Sequence, residues 1–117
     1  MQPRVTDVER LKKQVRKMAA SRVLAGDSAD VCLELAPMAG CRVRIAAGYG
    51  SLSQGLQQVA HDRLIWMLDG FVQVHDASGR VTNVSQGESL VLAGKRAYRL
   101  VFPQLSLYLQ VEPTEPS

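Results

Sequence analysis

The chain has 117 residues, 46% of them hydrophobic and 21% charged, with a formal net charge of +3 at pH 7. That size suits a single core, and the balance is ordinary for a globular protein. No apolar run approaches the roughly 18–20 residues that span a bilayer, and no apolar block follows the first basic residues, so neither a membrane segment nor a signal peptide is expected and a cytoplasmic location is.

The positive charge belongs to one segment. Residues 1–24 hold seven basic side chains (Arg4, Arg10, Lys12, Lys13, Arg16, Lys17, Arg22) against two acidic ones (Asp7, Glu9), which leaves the rest of the chain net negative. This segment reads as a helix from Thr6 to about Ala25. Thr6 followed by Glu9 has the form of a capping box, and Gly26 that of a C-cap. Val8, Leu11, Val15, Met18 and Ala19 recur at helical spacing and form one apolar stripe, with Arg10, Lys13, Arg16 and Lys17 on other faces. The stripe needs burial, either on the remainder of the chain or against a second copy. Nucleic-acid contact is disfavoured, because no second helix makes a helix-turn-helix and aromatics are sparse.

From Val31 the period changes to an alternating one. Short strands are predicted at Val31–Ala36, Cys41–Ala46, Leu56–Ala60, Leu64–Leu68, Phe71–His75, Arg80–Val84, Ser89–Leu92, Ala97–Phe102 and Ser106–Val111. Gly48 and Gly50 are expected to end the second, Asp69-Gly70 to hinge the fourth and fifth, and Asp76–Gly79 to form a turn. Cys41, Val43 and Ile45 share one face, Arg42 and Arg44 the other. Residues 113–117 are expected to be a frayed tail. Many short strands and one helix predict a mainly β chain: residues 1–30 as helix and linker, 31–112 as an antiparallel barrel of jelly-roll type. Cys32 and Cys41 sit in no metal-ligating cluster, so zinc is not expected. They could face each other across a hairpin, but free thiols are expected in a reducing compartment.

The stretch HDRLIWMLDGFVQV and the later GESLVL carry a resemblance. Strand, Asp-Gly, strand, turn, strand, then Gly-Glu-Ser-Leu-Val-Leu resembles the cupin superfamily over roughly Gly50 to Val111. The first cupin motif, G-x5-H-x-H-x4-E-x6-G, anchored on Gly70, puts Leu56 and Gln58 at the two histidines, Arg63 at the glutamate and Gly50 at the opening glycine. The second, G-x5-P-x-G-x2-H-x3-N, anchored on Gly87, puts Tyr98 at its histidine, with Gly94 one position early. The glycine frame is kept and the four metal-ligand positions are substituted. Leucine has no donor and arginine repels a cation, so no metal and no other cofactor is expected. His61 would approach the site only with a shift of the alignment.

If position 63 points into the barrel, Ile65 and Met67 do too, and Tyr98, Leu100 and Phe102 on the later strand. The interior is then mostly apolar, with Arg63 and Tyr98 as its polar groups. Arg63 must find an acceptor, such as Asp62, Asp69, a backbone carbonyl or a small anionic ligand. The ligand-binding candidates are Arg63, Tyr98, His61 and Gln58. Trp66, on the opposite face, reads as core or dimer contact. His75 reads as part of the adjoining turn. Leu105, Leu107, Leu109 and Val111 alternate with Ser106, Tyr108 and Gln110 and read as structural. The favoured reading is a metal-free, non-catalytic cupin: a homodimeric small-molecule-binding, sensor or interaction module. The alternative is a metal-independent isomerase or epimerase, with His61 as base, Tyr98 as acid and Arg63 as anion anchor on a small polar or anionic substrate. The sequence contains no other recognisable catalytic arrangement.

Overall fold

The computed structural model describes residues 5–35 and 38–114. One helix, α1 (Val8–Leu24), precedes eight strands: β1 (Ala29–Glu34), β2 (Cys41–Ser51), β3 (Gln57–Gln58), β4 (Arg63–Asp69), β5 (Phe71–Asp76), β6 (Val81–Ser85), β7 (Ser89–Leu92) and β8 (Ala97–Pro113). The N-cap is Asp7, whose carboxylate accepts from the Arg10 N–H at 3.1 Å. Thr6 does not cap the helix; Glu9 pairs instead with Lys12. The helix ends in a Schellman motif, with Asp27 N–H bonded to the Arg22 carbonyl and Gly26 N–H to that of Val23.

All strand pairs are antiparallel, and β8 is the strand the others gather around. The two predicted strands Ala97–Phe102 and Ser106–Val111 are one 17-residue strand. Its first part pairs with β3 and β5, its second with β2 and β4. Pro103 does not break it, because the β2–β8 register shifts there: Gly48 lies opposite Ser106, but Gly50 lies opposite Phe102. A proline without an N–H is tolerated where the ladder is interrupted. Likewise β2 runs through Gly48 and Gly50 to Ser51. Gly48 is small because the Phe102 ring lies against it; an added Cβ would stand 2.6 Å from that ring.

Asp69-Gly70 is a corner rather than a hairpin, since β4 and β5 pair with different parts of β8. Gly70 has φ +81°, and a Cβ there would collide with Ser106. The fully buried Ser106 hydroxyl accepts from Phe71 N–H and lies within hydrogen-bonding distance of the Phe71 and Gln104 carbonyls. Beyond the corner, the Asp76 carboxylate organises the predicted turn, accepting from Ser78 N–H, the Ser78 hydroxyl and Arg80 N–H.

Two apolar clusters lie on opposite sides of the sheet. The inner one joins Ile65, Met67, Val72, Phe102 and Tyr108, with Tyr98 and Leu100 packed against it. The outer one is formed by α1 lying on β1, β2 and β8, through Val15, Ala19, Ile45, Ala47 and Leu107. The apolar stripe of the helix is therefore buried on the sheet. It runs through Leu11, Val15, Ala19 and Val23, spaced by four; Val8 and Met18, each 38% exposed, lie beside it.

The outer cluster explains the alternation of β8. Leu105, Leu107 and Leu109 face the helix, whereas Ser106, Tyr108 and Gln110 occupy the other side. The polar half of the pattern thus points inward. Phe102 and Tyr108 stack in the interior with centroids 5.2 Å apart. The cysteines are free and not cross-strand neighbours: Cys32 lies opposite Ala46 and Cys41 opposite Pro113. Of the expected frayed tail, Pro113 is in β8 and Thr114 N–H bonds the Gly40 carbonyl; residues 115–117 lie outside the described ones, as does the predicted strand end Ala36. No helix among the described residues is long and apolar enough to cross a membrane.

Candidate functional site

The deep interior is filled by Ile65, Met67 and Phe102, each at most 1% exposed. Nearer the mouth a cavity of about 180 Å³ remains. Its apolar wall is Leu52, Val59, Leu92 and Leu100, and its polar groups come from Asp30, Ser53, Gln57, Arg63 and Tyr98. Arg63 and Tyr98 therefore share one space, as the alternation of β4 and β8 requires.

Arg63 opens β4 opposite Leu92. Its Nη2 donates to Glu112 Oε2 at 3.1 Å, and the same carboxylate reaches Arg44 Nη2 at 3.7 Å. Neither Asp62 nor Asp69 is the partner: Asp62 accepts from Gly94 N–H at 2.7 Å, and Asp69 pairs with Arg16 at 3.1 Å. The Nε of Arg63 is buried and makes no hydrogen bond. Buried donors are seldom left in that state, so this atom is a place where an acceptor would be stabilised.

Tyr98 begins the inward row of β8. Its hydroxyl accepts from Ala93 N–H at 3.0 Å, which leaves its own proton to be donated. Tyr98 also borders a second, larger cavity of about 540 Å³ beside Asp76, Lys95 and Arg96, so its ring divides two spaces.

The other two candidates do not join them. Gln57 pairs with Tyr98 and Gln58 with Ala97, and directly opposed residues share a face. Hence Gln57 turns into the cavity, while the Gln58 amide turns away and donates to the Lys95 carbonyl at 3.0 Å. The motif spacing misplaced the inward residue by one. His61 lines a separate cavity of about 450 Å³ with Arg42, Ala60 and Glu112. His75 borders another with Leu56 and Arg99.

Besides Gln57, three residues of the candidate site escaped the sequence reading. Asp30 and Glu112 lie outside the motif-bearing stretch, and Tyr108 was read only as part of a structural alternating strand. Tyr108 is 2% exposed, and its hydroxyl donates to Asp30 Oδ1 at 3.3 Å. Burial above all, and then the Asp30 carboxylate, pushes its ionisation far up, so it remains a protonated donor at neutral pH. The only available signal was that Tyr108 sits two residues from Ser106 and Gln110 on a strand whose other face was already apolar.

The motif alignment put Leu56, Gln58, Arg63 and Tyr98 at the ligand positions, whereas the side chains that line the cavity here are Gln57, Val59, Arg63 and Tyr98. Valine offers no donor and a guanidinium cannot give up its charge, so this set does not fit a transition-metal ion. Among the described residues no group of three or more His, Cys, Asp or Glu side chains converges elsewhere.

No family model matches the sequence, and no curated protein matches it. Solved structures do. A cupin-2 domain containing protein from Shewanella frigidimarina superposes with a TM-score of 0.67 at 13% identity, covering 86% of this chain and 98% of that one. A cupin superfamily protein from Desulfitobacterium hafniense gives 0.63 at 11% identity, over 74% and 79%. The EutQ protein of Clostridium difficile gives 0.63 at 12%, over 72% and 67%. The chain is a cupin by fold, of jelly-roll type with one N-terminal helix. Similarity at these identities extends to the fold alone.

Proposed function

We propose that this cupin is a small-molecule-binding module, a sensor or interaction protein that uses no metal and performs no catalysis of its own. The observation that carries the reading is that Arg63, at the position of the family's carboxylate ligand, shares one cavity with Tyr98. The Arg63 guanidinium, the Tyr98 hydroxyl and the Gln57 amide are donors around a largely aliphatic wall, a composition suited to a compact ligand with an anionic or strongly accepting group. The isomerase alternative is less well supported, because a base must reach the proton it moves and His61 borders a different cavity.

The proposed functional unit is a homodimer. Trp66 and Val91, 48% and 56% exposed, stand on the outer face of β4 and β7, where α1 does not cover the sheet. A screen of small carboxylates, polyols and sugars by thermal shift tests the binding reading. A ligand that binds the folded state raises the unfolding temperature, and the rise should disappear in Tyr98→Ala. A screen in which no compound stabilises the protein overturns it.

A further inference from the structure

The cavity carries charge of both signs on different residues. Among its lining residues Arg63 is the basic one and Asp30 the acidic one. Each is held by a separate neighbour. Glu112 contacts Arg63 at 3.1 Å but is shared with Arg44 at 3.7 Å, so one carboxylate serves two guanidinium groups and positive charge is in excess there. On the β1 side, the Asp30 carboxylate accepts from the Tyr108 hydroxyl at 3.3 Å. The apolar lining of the same cavity is Leu52, Val59, Leu92 and Leu100.

Opposite charges lining one largely aliphatic cavity select a ligand with both signs. A plain anion would satisfy Arg63 but add its charge to a space that Asp30 already makes negative. A plain cation would meet the reverse. We propose that the cavity binds a small zwitterion, an amino-acid-like molecule whose carboxylate accepts from the Arg63 guanidinium and whose ammonium donates to Asp30. The volume, about 180 Å³, equals the bulk-liquid share of about six waters and limits the ligand to a short chain. The aliphatic wall accommodates the methylenes, and the Gln57 amide lies beside it. Charge-assisted hydrogen bonds at both ends are stronger than neutral ones and require both groups at once. This inference rests on the binding reading above and narrows it to one ligand class.

The test uses three zwitterions of increasing span (alanine, β-alanine and 4-aminobutyrate), each compared with the hydroxy acid of the same skeleton (lactate, 3-hydroxypropionate and 4-hydroxybutyrate). Titration calorimetry on the full chain should find at least one amino acid binding tenfold or more tightly than its hydroxy acid. Asp30→Asn keeps an oxygen for Tyr108 and should reduce that ratio to within twofold of unity, weakening the amino acid and tightening the hydroxy acid, whose charge Asp30 no longer opposes. Equal or tighter binding of the hydroxy acids overturns the zwitterion inference and leaves the binding reading standing. So does failure of all six when another compound of the thermal-shift screen binds. If nothing in either set binds, the binding reading itself fails.

Discussion

Glu112, the second residue from the end of β8, holds Arg63, the first residue of β4, at 3.1 Å. The contact joins the two strands at the mouth of the barrel, with the side chains only 19% and 30% exposed. A half-buried guanidinium whose carboxylate is removed remains charged and loses its principal acceptor. Glu112→Gln should therefore lower stability by on the order of 1–3 kcal/mol. Adding Arg63→Met should recover part of that loss, because it removes the stranded charge. Denaturant unfolding of the two variants checks both; a neutral Glu112→Gln would show the pair contributes nothing.

Gly48→Ala places a methyl group 2.6 Å from the Phe102 ring, inside the inner cluster. The ring stacks on Tyr108 and cannot withdraw without disturbing the cavity floor. Overpacking of this kind costs about 1–3 kcal/mol. Gly55→Ala, where an added Cβ meets nothing within 4 Å, is the control and should leave the unfolding midpoint within about 0.5 kcal/mol of the parent.

The Asp76 turn gives a pH dependence of known sign. Hydrogen bonds, led by that from the Ser78 hydroxyl, hold this carboxyl below its ordinary value of 3.8. A depressed folded value means that the ionised form stabilises the fold. The contribution is complete above the unfolded value and is lost as the pH falls through the lower folded one. Asp76→Asn should thus be less stable than the parent at pH 7, and the gap should narrow below about pH 4. Thermal unfolding of both proteins from pH 7 to pH 2.5 measures it; a gap that widens on acidification would refute the assignment.

Trp66→Glu puts a charge on the uncovered outer face without touching the inner cluster, since Trp66 alternates with Ile65 and Met67. Sedimentation should find a dimer for the parent and a monomer of unchanged fold for the variant. A parent that sediments as a monomer at high micromolar concentration contradicts the dimer.

Much of the architecture was legible because strand alternation and the glycine frame are local signals. Ile65 and Met67 were placed inside by their spacing from Arg63, and Tyr98, Leu100 and Phe102 by theirs. The reading failed where neighbours decide. Pro103 looked like a boundary, but a register shift against Gly48 and Gly50 lets β8 continue past it. The run 105–111 was read only as structural, because alternation separates two faces without saying which is inside; α1 took the apolar one and left Ser106 and Tyr108 in the interior. Gln58 was chosen over Gln57 because motif spacing was carried across a loop, whereas the pairing of β3 with β8 decides which side chain turns inward. The ion pair of Arg63 joins residues 49 apart in sequence, and no local pattern announces it.

The central claim is that Arg63 and Tyr98 form a ligand site that works without metal. The most direct measurement is the ligand-induced thermal shift of chelator-treated protein, compared between the parent and Arg63→Met. The account predicts a shift of several degrees in the parent, unaffected by the chelator and absent from the variant. A shift that persists in Arg63→Met, or that depends on added metal, would contradict it.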